Sequence, residues 1–124
     1  MKKLLVILLF TGLIAGCYYD NEEALYPVLD QACDTTGVAF AKSILPILQT
    51  NCLGCHGTNQ AAASGSGIDL GTFSSLKQVA VSGRLFGAIV QDANHFPMPR
   101  GGFKLDTCSI TKIKIWIDKG ALNN

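Results

Sequence analysis

Apolar residues recur at helical spacing in four places along the chain. Ser43 is followed by Ile44, Leu45, Ile47 and Leu48, a stripe wide enough to form a core face. This predicts a helix capped by Ser43, with Pro46 in the first turn, where the N–H groups lack intrahelical partners and proline is tolerated. Upstream, Cys33–Gly37 reads as a turn and Val38–Ala41 as a short extended segment or loop. A second helix starts near Thr72 or Phe73, runs through Leu76, Val79 and Ala80, and stops at Ser82-Gly83. A third spans Arg84 to about Gln91, with Leu85, Phe86, Ile89 and Val90 apolar. The last is capped by Asp106, carries Ile110, Ile113, Trp116 and Ile117 on one face, and meets a left-handed stop at Gly120. Trp116 reads as the largest core residue of that helix. No heptad, repeat or strong two-residue alternation occurs, so the pattern predicts a small all-α domain of short helices and long loops.

Two stretches lie between these helices. Residues 58–67 are small and polar and read as a surface loop with no chemistry of its own. His95-Phe96-Pro97-Met98-Pro99-Arg100-Gly101-Gly102 has two prolines and two glycines within six residues. That composition makes an irregular, stiffened loop suited to presenting a side chain at a fixed point.

The first 32 residues follow a different pattern. Lys2-Lys3, the apolar run Leu4 to Phe10 and the small residues before Cys17 form an export signal over residues 1–16. The apolar run is shorter than the about 20 residues that span a bilayer. Ile14-Ala15-Gly16-Cys17 resembles the lipobox of bacterial lipoproteins, in which the cysteine receives lipid; the alternative is a plain secretory signal with an incidental cysteine. Residues 17–32, with Asp20, Glu22 and Glu23, read as a solvated tether, leaving residues 33–124 as the domain. Export places the chain in a bacterial cell envelope, facing the periplasm or the cell surface. Without Lys2 and Lys3, eight basic residues face nine acidic ones, and no basic run points to nucleic acid.

The strongest chemical signal is Asn51-Cys52-Leu53-Gly54-Cys55-His56-Gly57. Two thiols three positions apart, followed at once by a histidine, have the spacing that attaches a c-type haem. Cys52 and Cys55 can reach two vinyl groups on one porphyrin edge, and His56 can turn beneath the ring to bind iron. Five cysteines then divide into lipidated Cys17, haem-bearing Cys52 and Cys55, and a remaining pair, Cys33 and Cys108. A disulfide between these two would close a loop of roughly 75 residues, worth about 4 kcal/mol by chain entropy. The rivals are a zinc site built from Cys33, Cys52, Cys55 and Cys108, which lacks a second close-spaced pair, and a dithiol redox centre, which lacks the alternating strands and helices. For the iron's other face the stiff loop offers Met98, the only methionine besides Met1, and the alternative His95. Thioether ligation raises the reduction potential.

Taken together, Ile44-Leu45-Pro46-Ile47-Leu48, Asn51 to Gly57, Pro97-Met98-Pro99 with Gly101-Gly102 and Lys104-Leu105, and Ile113 to Ala121 resemble the single-haem cytochrome c domains carried by many bacterial lipoproteins, the planctomycete-type cytochrome c group. The resemblance covers nearly all of residues 33–124. It departs at Arg100, where the family often has a small residue or proline. It implies a class I cytochrome c fold around one covalent haem c, with His56 as proximal and Met98 as distal iron ligand. The function it implies is outer-sphere electron transfer to redox partner proteins, not catalysis. An enzyme of the haem peroxidase kind needs an open iron position and a distal acid/base group, and His95 is the one spare histidine. A haem module that senses a small ligand or redox state is the alternative.

Overall fold

Local sequence and long-range contacts together shape the start of the first helix. The computed structural model describes residues 33–101 and 103–124. The signal, the tether, the Cys17 lipid site and Gly102 lie outside them. The Phe40–Ile44 segment is a π-helical turn that feeds directly into helix α1, Leu45–Asn51. Phe40 is thus helical where Val38–Ala41 reads as extended, and Ser43 does not cap the helix: its Oγ accepts a hydrogen bond from the Ala39 N–H at 3.4 Å. The physical cause is tertiary. The free N–H groups of Phe40 and Ala41 donate to the Asn124 side chain at 2.9 Å and its carbonyl at 2.8 Å, so no side-chain cap at Ser43 is needed.

Helix α2, Leu53–His56, is a single turn that follows α1 with a break at Cys52. Helix α3, Phe73–Val81, is capped by Thr72, whose Oγ1 accepts from the Ser75 N–H at 3.3 Å. It ends at Gly83, whose φ of +81° is the left-handed region that glycine adopts without strain. Helix α4, Arg84–Val90, follows at once. Helix α5, Thr107–Asp118, is capped by Asp106, which accepts from the Ser109 N–H at 2.9 Å. Among the described residues no strand forms, and no helix is long and apolar enough to cross a membrane.

The helices pack α3 on α4, α4 on α5, and α5 back against the π-helical turn. Ile44, Leu48, Leu76, Ile89, Ile113 and Trp116 are almost fully buried between them. The Phe40 ring meets the Phe73 ring edge-on at 5.0 Å and lies 5.8 Å from Trp116. The Trp116 indole is core, and its N–H donates to the Leu122 carbonyl at 2.8 Å, so no polar atom of the ring is stranded. A disulfide joins Cys33 to Cys108 in the first turn of α5, with Cα atoms 5.4 Å apart.

The Asp106 cap has a pH signature. The Ser109 side chain first, and its backbone N–H second, hold the Asp106 carboxyl below its ordinary value of 3.8. A depressed carboxyl contributes stability above its unfolded value and loses it as pH falls through the folded one. Asp106→Ala is therefore expected to cost about 1 kcal/mol at neutral pH. That difference should shrink as the pH drops below the ordinary value of 3.8, measured by urea unfolding across the acid range.

Candidate cofactor site

The cysteines of the Cys52–His56 stretch enter the site in unequal states. Cys52 is half-buried at the break between α1 and α2, its N–H bonded to the Leu48 carbonyl at 2.8 Å; burial pushes its thiol up to about 11. Cys55 is exposed on the following turn, and the two thiols are not bonded to each other. A protonated Cys52 is a poor metal ligand, since thiolate is the coordinating form. The four-cysteine zinc arrangement is not assembled. Cys33 and Cys108 are held in their disulfide, and among the described residues no group of three His, Cys, Asp or Glu side chains could hold a metal ion.

His56 is fixed by the segment after it. Its Nδ1 lies 3.0 Å from the Ile68 carbonyl oxygen, and because a carbonyl only accepts, Nδ1 carries the hydrogen. The other ring nitrogen, Nε2, then has a free lone pair, the tautomer that a metal-binding imidazole requires. Residues 57–71 fold back over α2 to make this contact. The His56 carbonyl accepts from the Leu70 N–H at 2.8 Å, and the Ser64 hydroxyl donates to the Cys55 carbonyl at 3.2 Å. Gly65 is buried against the imidazole: a Cβ there would stand 2.8 Å from the Cys55 carbonyl and 2.9 Å from His56 Nδ1. The stretch 58–67, which reads as a surface loop without chemistry, is in its second half a wall of the site.

Helix α4 and the loop after it supply further lining residues. Met98 is half-buried, and its N–H donates to the Ala88 carbonyl at 3.0 Å; the Met98–Pro99 bond is cis. His95 donates from Nδ1 to Asp92 Oδ1 at 2.8 Å, and the Asn94 N–H donates to the same oxygen at 2.8 Å. The His95 bond, and then the Asn94 one, hold the Asp92 carboxyl below its ordinary range. The His95 ring rests on Gly87 inside α4, where a Cβ would collide with the ring.

Cys52, Cys55, His56, His95 and Met98 all border one cavity of about 570 Å³. That size lies within the roughly 300–1,000 Å³ of pockets that enclose organic ligands. Its walls are mainly apolar, from Ile68, Leu70, Val79, Leu85, Ile89 and Leu105. Arg84 and Arg100, both exposed, border the cavity, and its lining includes no Asp or Glu among the described residues. Phe96 is exposed at the rim, with the Arg100 guanidinium 5.5 Å from its ring centre. A large, mostly apolar ligand with anionic groups matches this lining, and the residues that border it bring two imidazoles, one thioether and two thiols.

Four residues of the site escaped the sequence reading. Gly87 left a signal, since a glycine inside an apolar helical run marks a close approach. Gly65, Ile68 and Asp92 left none. No family model, curated protein or solved structure matches the chain.

Proposed function

We propose that the chain is a membrane-tethered monohaem c-type cytochrome of class I fold, an electron carrier anchored by lipid on Cys17 and facing the periplasm or cell surface of a bacterium. The observation that carries the reading is the tautomer of His56. An imidazole locked through Nδ1 to Ile68, with Nε2 free, borders an apolar cavity that also receives the two motif thiols and Met98.

The residues present fit a covalent haem. Cys52 and Cys55 would each add a sulfur to a vinyl carbon, with the thiol proton passing to the neighbouring carbon. A buried, protonated Cys52 carries the proton that addition requires. His56 Nε2 would hold the iron on one face. Met98 is favoured on the other, because its backbone is pinned at the cavity by the Ala88 carbonyl; His95, held through Nδ1 by Asp92, is the alternative through its Nε2. The haem supplies a one-electron iron couple. The chain's part is to fix both ligands, so that little rearranges between oxidation states, and to exclude water with Leu70, Leu85 and Ile89. Arg84 and Arg100, which border the cavity, would balance ligand carboxylates.

The test is expression of the full chain in a host that attaches haem to c-type cytochromes. A haem stain that persists on a denaturing gel and disappears in Cys52→Ala/Cys55→Ala is expected, as is a low-spin spectrum that Met98→Ala converts to an open, carbon-monoxide-binding form. Absence of stain sinks the reading. An open iron in the native protein would make it a ligand-sensing module instead.

A further inference from the structure

We infer that Asp92 and His95 are positioning residues, forming a clamp that holds the Met98 loop onto α4. The inference rests on the proposed haem reading for its purpose, but its geometry stands apart from any cofactor.

The loop has little backbone structure of its own. Pro97 and Pro99 have no N–H to donate. The Asp92 N–H donates to the Gly87 carbonyl at 3.1 Å and the Met98 N–H to the Ala88 carbonyl at 3.0 Å, so the segment is tied to adjacent residues of α4 at both ends. Between these ties the only other backbone bond is a long one, His95 N–H to Asp92 carbonyl at 3.4 Å. The Asp92 carboxylate fills the gap by accepting at one oxygen from the Asn94 N–H and from His95 Nδ1, each at 2.8 Å. Hydrogen bonds to a carboxylate are stronger than those between neutral groups.

The His95 ring completes the clamp. It lies on Gly87, on the same turn of α4 that receives the two backbone ties. Any side chain at position 87 would push the ring away, and with it the loop. One glycine, one carboxylate and one imidazole therefore set how far the Met98 backbone stands from α4. This gives His95 a positioning task through Nδ1 and its ring face, contacts in which its Nε2 takes no part. Its side chain is 32% exposed and that of Asp92 38%, so solvent screens the pair and the expected effect is moderate.

The test compares the full chain with Asp92→Ala, His95→Ala and His95→Asn, whose amide can replace the Nδ1–H donor. The Met98 amide should exchange its hydrogen about tenfold faster in the two alanine variants, the scale of one lost hydrogen bond to a charged group. His95→Asn should restore most of the protection, and the Ile113 amide, deep in the core, should not change. With haem attached, loss of the ferric thioether-to-iron absorption band on raising pH should move down by about 1 pH unit in the alanine variants. Unchanged Met98 exchange in His95→Ala overturns the clamp. So does an equal rise at Ile113, which would mark general destabilisation, and so does a spectrum in which His95→Ala, not Met98→Ala, opens the iron. Amide exchange is measurable whether or not haem is bound, so failure of the clamp and failure of the haem reading are distinct results.

Discussion

Cys33→Ser/Cys108→Ser is expected to lower stability by about 4 kcal/mol, the chain-entropy value for so long a loop. The bond spans 75 positions and ties the start of the domain to the first turn of α5. A small domain has a net stability of only about 5–15 kcal/mol, so the loss is a large share of the total. In a thermal melt it corresponds to a fall of roughly 15–30 °C. Adding reductant to the native chain should reproduce the shift, and reductant should do nothing further to the double variant. A shift of a few degrees would mean that the bonds from Phe40 and Ala41 to Asn124 close the fold well enough alone.

Gly65→Val is expected to damage the site more than its position in a polar stretch suggests. A Cβ at position 65 already comes within 3.0 Å of backbone at Ala61 and Cys55 and of His56 Nδ1, and these are not the far ends of flexible side chains. Overpacking of this kind costs about 1–3 kcal/mol. The branched side chain must move either the 57–71 segment or the imidazole, breaking the bond from His56 Nδ1 to Ile68. Release of that bond frees the imidazole to rotate and to exchange tautomers. The expected result is a several-fold drop in the yield of covalently loaded protein, read by haem stain against total protein, with far-ultraviolet circular dichroism nearly unchanged. Wild-type loading of Gly65→Val would show that the imidazole does not need this wall.

The two variants act on different links of the same chain of causes. The disulfide limits what the unfolded chain can explore and touches no part of the cavity lining. Gly65 acts in the folded state alone, through one ring. Measured together, stability and loading should therefore separate: the double cysteine variant loses the first more than the second, and Gly65→Val the reverse.

What could be read from the chain was local. Asp106 is a recognisable cap and Thr72 a recognisable helix start, because a side-chain oxygen reaches an N–H only three residues away, and α3, α4 and α5 follow from apolar residues three and four positions apart. The left-handed φ of Gly120 was legible for the same reason, since the constraint lies within a single residue, and Gly83 was legible as a stop. Cys52, Cys55, His56, Met98 and His95 stood out as chemical candidates because their residue types are scarce and their spacing is short. Ser43 misled, because its capping role was taken over by Asn124 from the other end of the domain. Only the folded structure decided which carbonyl holds His56, that a bland run of small residues supplies Gly65 to the imidazole, and that Asp92, His95 and Gly87 meet beneath the Met98 loop. Those contacts join residues distant in sequence or depend on a missing Cβ, and neither leaves a periodic trace. Sequence determined α3, α4, α5 and the reactive groups; packing decided where the first helix starts and how each reactive group is oriented, because both are set by neighbours the local code does not name.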